Sequence, residues 1–309
     1  MLNTLESLRE LLKETFLKDA DIAQIKIPLT NEIAIAIKVD LENSLNSWII
    51  LKDFLSQTQR YPVINACWGA SIGCWEDNIK SEDFFSRFYF SEEYPDMDLS
   101  PQTIIARANL YSDLDLDTFL NERAQLNTYD LDAQILTELE STKSQFGSAP
   151  SELEIKEHIQ SGAIATIVDL EHYLFDWEIQ QQIATKPELG SSSYLDWYQP
   201  KGQTLALLLL PTPHSWEALA YLAWFGGSKA AIPLLTRWHQ TYGAKLVCHY
   251  GTMLQLLVKR KPKTPQEALE LSIQQVLLAP CTTMLSGISI RNHARSLLIA
   301  DRWFIHERP

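Results

Sequence analysis

The sequence predicts an α+β fold. A ferredoxin-like βαββαβ module occupies residues 201–309, and residues 1–200 hold an acidic N-terminal βαβ unit and a helical, acidic middle segment, the whole packed as one cooperative unit. Three observations carry this prediction. Apolar runs of strand length recur through the last third of the chain, at 205–210, 245–250, 253–259 and 302–306. Stretches with helix caps and helix stops lie between them. Upstream, residues 32–38 place isoleucine at every second position, and a helical pattern and a second apolar run follow.

In chain order, residues 5–17 carry leucines at helical spacing and predict an amphipathic helix. Ile33, Ile35 and Ile37 point to one side of a strand over 32–38. A helix over 42–56 bears Leu45, Trp48, Ile49, Leu51 and Leu55, and a strand over 61–67 completes a βαβ unit with a right-handed crossover. That unit either shares a sheet with the C-terminal third or forms a companion sheet. Between residues 81 and 132, twelve acids face three arginines, with Phe84, Phe85, Phe88, Tyr89, Phe90 and Tyr94 among them. Asp113, Asp115 and Asp117 are spaced like calcium ligands. The glycine that should follow the third acid is missing, however, and Ala124 stands where a bidentate glutamate belongs. The segment therefore reads as the cap of a helix through Phe119 and Leu126. A helix over 129–145, a loop at 146–150 and a capping box at Ser151 and Glu154 follow, and residues 186–193 read as a linker.

In the C-terminal third, residues 205–210 are apolar on both faces, as suits a central strand, and Pro211 and Pro213 end it. Ser215 is placed to cap a helix from Trp216 toward Phe225, which Gly226 and Gly227 stop. A second helix is expected over 230–241, with Pro233 in its first turn and Gly243 ending it. Gly251-Thr252 joins two short apolar runs as a hairpin. Thr264-Pro265-Gln266-Glu267 is the clearest local signal in the chain. The hydroxyl caps, the proline suits the first helical position, and the glutamate completes the box. That helix ends at Ala279 before Pro280; a short helix over 292–299 and a strand over 302–306 close the chain.

These residues resemble a known family. Pro211-Thr212, Trp216-Glu217-Ala218, Ala220-Tyr221-Leu222, Gly226-Gly227, the run from Arg237 to Ala244, Glu267-Ala268-Leu269 and Trp303-Phe304 are similar to the domain of unknown function 4253 family over about residues 204–305. An echo lies upstream at Trp48, Thr58 and Tyr61-Pro62-Val63. The resemblance implies a bacterial protein and a fold neighbourhood, with no chemistry attached. In the family pattern an acid follows the hairpin glycine, an acid-amide pair stands on the capped helix, and an aspartate follows the cysteine near the helix end. This chain has Thr252, Gln274-Gln275 and Thr282 there. The plain reading of those acids in relatives is caps and surface pairs rather than lost chemistry.

Charge is divided unevenly. Residues 201–309 hold 12 Lys and Arg against 5 Asp and Glu, net +7, so residues 1–200 carry −20 of the total −13. Such acidity argues against nucleic acid as a partner. The basic cluster Lys259-Arg260-Lys261-Pro262-Lys263 reads as a solvated loop beside a strand end. No apolar run reaches the length of a membrane span, about 20 residues. The N-terminus lacks the basic start and apolar core of a signal peptide, so the expectation is a soluble, cytoplasmic protein. Cys67, Cys74, Cys248 and Cys281 form no CxxC pair, in keeping with reduced thiols.

Candidate chemistry is sparse. Gly69-Ala70-Ser71-Ile72-Gly73 has the nucleophile-elbow pattern after a predicted strand, but residues 74–78 do not read as the helix that should seat the serine. His239 on a helix and His249 on the hairpin are not marked as a pair; each reads as a histidine bonded to backbone. Trp216, Tyr221, Trp224, Trp238 and Tyr242 form an aromatic set on adjacent helices, which reads as core or, functionally, as a partner groove. The function expected is a non-enzymatic protein–protein interaction module without cofactor or metal. Its acid-rich segment would attract a basic protein partner, and no nucleic acid or membrane is expected. A serine hydrolase using Ser71 is the alternative.

Overall fold

The structure is a computed structural model and describes residues 4–28, 30–66, 75, 79, 85, 100–126, 131–181, 195, 205–222, 224 and 228–307. Among the described residues, helix α1 (Leu5–Leu12) leads to strands β1 (Ile22–Lys26) and β2 (Ile33–Val39), helices α2 (Ser44–Asp53) and α3 (Leu55–Thr58), and strand β3 (Tyr61–Ala66). Helices α4 (Pro101–Ala108), α5 (Asp113–Leu126), α6 (Leu131–Phe146), α7 (Glu152–Gln160) and α8 (Ile167–Gln180) follow. Then come β4 (Leu205–Leu210), α9 (Ala218–Tyr221), α10 (Ser228–Tyr242), β5 (Lys245–His249), β6 (Met253–Leu257), α11 (Pro265–Leu278), α12 (Cys281–Met284), α13 (Ile290–Ile299) and β7 (Arg302–His306). The class is mixed α+β. The chain forms two compact units, one of Met1–Tyr111, Trp197–Lys259 and Phe304–Pro309, the other of Ser112–Asp196 and Arg260–Trp303.

The first unit is built on a seven-stranded sheet of order β1-β2-β4-β3-β5-β6-β7. Strand β4 is antiparallel to both neighbours, with Leu207 opposite Ile37 on β2 and opposite Ile64 on β3. Strands β2 and β3 are thus parallel to each other with β4 inserted between them, a split βαβ unit. The expected βαβ and the C-terminal third share one sheet. The reason is β4 itself: six apolar residues, all buried, need a strand on each edge and cover on each face. This corrects the ferredoxin-like expectation. The βαββαβ order holds along the chain, but β3 lies between β4 and β5, so the four C-terminal strands do not make that sheet by themselves.

Several elements differ from the sequence reading. Strand β1 was not anticipated; it is short and half polar, as suits an edge. In β2, Ala34 and Ala36 are as buried as Ile35 and Ile37, so the alternation marks large and small side chains rather than core and solvent. Helix α1 stops at Leu12, short of residue 17. Helix α9 spans only Ala218–Tyr221, because Leu222 is already extended. Helix α10 starts at Ser228, which puts Pro233 inside it rather than in its first turn. Between β5 and β6, Gly251 takes φ +78° and Tyr250 N–H donates to the Met253 carbonyl at 2.8 Å. The Trp48 indole donates to the Pro62 carbonyl at 2.8 Å and anchors α2 on β3.

The second unit is helical. One core cluster joins Phe175 of α8 to Ala268, Leu269, Ile273, Val276 and Leu277 of α11 and to Ile290 and Ala294 of α13. A second joins Ile135, Ile155, Ile164, Leu170 and Leu174. Caps set the boundaries. Thr264 accepts from Glu267 N at 3.1 Å, and the Glu267 carboxylate turns back to Lys263 N at 2.8 Å. Ser151 accepts from Glu154 N, and Thr166 and Asp169 form a complete capping box. Asp115, read among possible calcium ligands, accepts from Ser112 N and Ser112 Oγ at 2.8 and 2.7 Å. These bonds hold its carboxyl below the usual range. No helix among the described residues is long and apolar enough to cross a membrane.

Candidate functional site

In the first unit, polar side chains gather where β4 ends beside the starts of β2 and β3. Proline after β4 releases the chain from the ladder, and Thr212 organises the turn. Its carbonyl accepts from Tyr61 N, and its hydroxyl accepts from His214 N at 3.1 Å and donates to the Glu217 carboxylate. Arg60, buried beside it, donates to the carbonyls of Ile33 at 2.7 Å and Leu209 at 3.4 Å. Burial lowers the pKa of this guanidinium, while the charge of Glu32 and then Tyr221 opposes the change. Tyr221 donates to the Pro211 carbonyl at 3.4 Å. Burial raises its phenol, and Glu32 and Glu217 raise it further. Tyr61 donates to the Leu246 carbonyl at 2.8 Å and is raised chiefly by burial. Both phenols therefore stay protonated and act as donors, not as bases.

Trp216 stands on this turn in contact with two imidazoles. His214 stacks on it with ring centroids 4.7 Å apart and planes 16° apart, and His239 meets it at 4.7 Å and 51°. The orientation of His239 is built into the end of α10. Gly243, at φ +67°, donates to the His239 carbonyl at 2.8 Å, and Ala244 N reaches the Trp238 carbonyl at 3.4 Å. With Gly243 left-handed and its N–H on the carbonyl four residues back, this is an αL C-cap. It carries the Ala244 carbonyl back to 2.9 Å from His239 Nδ1. A carbonyl only accepts, so Nδ1 carries a proton, and in the neutral ring Nε2 is the basic nitrogen.

The aromatic residues singled out in the sequence divide clearly. Tyr221, Trp224, Trp238 and Tyr242 are buried, and the Trp224 indole donates to the Thr252 carbonyl at 3.2 Å. Trp216 is partly exposed, and His214 beside it is exposed. His239 is bonded to backbone as expected, and His249 is buried on β5. The Ser71 motif lies outside the described residues, as do Cys67, Cys74, the linker at 186–193 and most of the acidic, aromatic run before residue 100. Burial pushes the Cys248 thiol up to about 12, which keeps it an unreactive apolar group. Among the described residues, no group of three or more His, Cys, Asp or Glu is placed to hold a metal ion.

The second unit contains a polar centre that the sequence reading missed. Arg291 on α13 is buried and meets three carboxylates: Glu178 through Nε at 2.7 Å, Glu171 through Nη1 at 2.8 Å and Glu138 through Nη2 at 3.1 Å. Thr142 also accepts from Nη2, at 3.0 Å, and the backbone N–H of Arg291 donates to Glu171 at 3.1 Å. Arg295, one turn on, pairs with the second oxygen of Glu178 and lies over the Phe146 ring. On the same helix His293 bonds Gln275 at 2.8 Å, and burial depresses its pKa to about 3, so it is neutral. Gln275 and Thr282 are fully buried. The surface-pair account of acids at those family positions therefore does not hold for the places these two residues occupy here.

The described residues thus define an α+β protein whose central sheet receives a C-terminal strand between two N-terminal ones, with an aromatic–histidine site at that strand's end. Residues 206–306, the C-terminal region, match the model of the family described as a domain of unknown function (DUF4253). The match begins at β4 and includes Thr212, His214, Trp216, Glu217 and His239. No curated protein and no solved structure matches the chain.

Proposed function

We propose that the protein is a non-enzymatic binding module that receives a protein partner at Trp216. The observation that carries this reading is the contact of a partly exposed tryptophan with two imidazoles, His214 stacked on it and His239 tilted against it, each 4.7 Å away. Tryptophan anchors supply much of the energy of protein interfaces, and they do so best when held in one orientation before binding. Here the αL turn at Gly243 presents the Ala244 carbonyl to the His239 ring, and Thr212 holds the backbone of His214 through its N–H. The surrounding hydroxyls and phenols are committed to carbonyls or carboxylates, an arrangement suited to support rather than to turnover.

The test is parallel affinity capture with the full chain and its Trp216→Ala variant, alongside turnover assays on ester and phosphoester panels. A protein retained by the wild type and lost by the variant, at an unchanged unfolding midpoint, supports the reading. Equal retention by both, or turnover that Ser71→Ala abolishes, overturns it in favour of the hydrolase alternative.

A further inference from the structure

We propose that the carboxylate–guanidinium cluster of the helical unit is a proton-binding site: in mildly acidic medium it holds one proton beyond its ion pairs, on Glu171, and it releases that proton as the medium passes through neutrality.

The argument begins with charge. Glu138, Glu171 and Glu178 face Arg291 and Arg295, so three acids meet two bases. Arginine does not give up its proton in proteins. Fully ionised, the cluster would carry one uncompensated negative charge in a buried setting, which is strongly unfavourable; a group so placed takes up a proton instead. The side chains of Glu171 and Glu178 are 2% and 0% exposed, against 18% for Glu138.

The three carboxyls are not equivalent. Glu178 has a guanidinium on each oxygen, and Glu138 has access to water. Glu171 forms an ion pair with Arg291, which it shares with the other two, and accepts the Arg291 backbone N–H, while Arg295 acts on it only through its charge. Although Nη1 lies 2.8 Å away, no N–H of that nitrogen is directed onto a partner. Glu171 is the least compensated carboxyl and the natural holder of the proton. Burial raises its pKa most; the charge and the backbone N–H of Arg291 oppose, the charges of Glu138 and Glu178 add to the rise, and the pKa is left raised to about 7. The groups facing it are Arg291 and Arg295 on α13, Glu138 on α6 and Glu178 on its own helix α8.

The linkage has a definite sign. An acid whose folded pKa is raised contributes stability that is complete below its unfolded pKa of 4.5 and is lost as pH rises through about 7. His293 acts the other way over an overlapping range, because its pKa falls from 6.5 to about 3 on folding. Total stability against pH therefore mixes the two, and the readout must belong to the carboxyl.

Infrared titration of the full chain provides it. The C=O stretch of a protonated carboxylic acid should be present at about pH 6, where ordinary carboxylates are ionised, and should fade by about pH 8. Glu171→Gln should remove this band. Glu138→Gln takes away the excess negative charge at the most exposed member, and it should shift the loss of the band toward lower pH. A wild-type spectrum without the band at about pH 6, or a band that survives Glu171→Gln, overturns the proposal. Should Glu171→Gln fail to fold, an unshifted titration in Glu138→Gln does the same.

Discussion

Gly243 and His239 are coupled through one turn: the glycine N–H donates to the His239 carbonyl at 2.8 Å, and the reversed chain then offers the Ala244 carbonyl to the ring of the same histidine. Gly243 holds φ +67°, and a Cβ there would stand 2.8 Å from the Cβ of Lys259. Both strain and contact oppose a side chain. Gly243→Ala should destabilise the protein by about 1–3 kcal/mol, the range for a non-glycine residue forced into the left-handed region. The same variant should change the nitrogen chemical shifts of His239, because the acceptor at Nδ1 moves. Denaturant titration and NMR of the labelled imidazoles check the two effects separately.

Trp216 and Trp238 should behave as opposites, although the sequence places them in one aromatic set. Trp238 is 1% exposed on α10, and Trp238→Ala should cost about 3–5 kcal/mol, as for other large-to-small core changes. Trp216 is partly exposed, so Trp216→Ala should change stability by less than about 1 kcal/mol. Equal losses measured by chemical denaturation would mean that Trp216 serves the core, and the binding proposal would lose its anchor.

Thr264→Ala should cost about 1 kcal/mol, the usual value of a lost N-cap. Thr264 accepts from Glu267 N at 3.1 Å, and the helix it opens supplies most of one core cluster. Thr264→Ser keeps the acceptor and should restore most of the loss. Denaturation midpoints of the two variants provide the comparison.

Local signals were legible where a residue acts on its own neighbours. Thr264, Ser151 and Gly243 ended or began helices as their chemistry requires. β4 was legible because six consecutive apolar residues admit few other fates. Its partners were not, since an apolar run specifies that it must be covered and not which strands cover it. The choice of β2 and β3 over β5 is made by packing across the whole sheet. In the aromatic site, the residues were visible but their burial was not: helical spacing cannot tell Trp216 at the start of a turn from Trp238 inside a helix. The ionic cluster was missed because glutamate and arginine on helices ordinarily read as solvated. A clue was present, however. Glu171 and Glu178 are seven residues apart, on the helix that carries Leu174 and Phe175 into the core, and Arg291 and Arg295 are four apart among Ile290, Ala294 and Leu297. Charges repeating at the period of an apolar stripe mark a buried pair of helices that must meet.

That pairing makes Arg291 a sensitive position of the helical unit. Arg291→Met removes a side chain that meets Glu138, Glu171 and Glu178 together and leaves the ion pair of Arg295 with Glu178. Breaking a buried pair in this way typically costs 3–5 kcal/mol, about the effect expected here, because uncompensated charge remains inside. The loss should depend on pH. In acid the stranded carboxyls take up protons and the penalty shrinks; in alkali they are forced to ionise and it grows. Adding Glu171→Gln to Arg291→Met should recover part of the loss, and the recovery should be larger at about pH 8 than at about pH 5. A double-mutant cycle measured by chemical denaturation at those two values decides the matter. If the two substitutions add independently at both, Arg291 and Glu171 do not share charge across the helices, and the contact between them is one of packing alone.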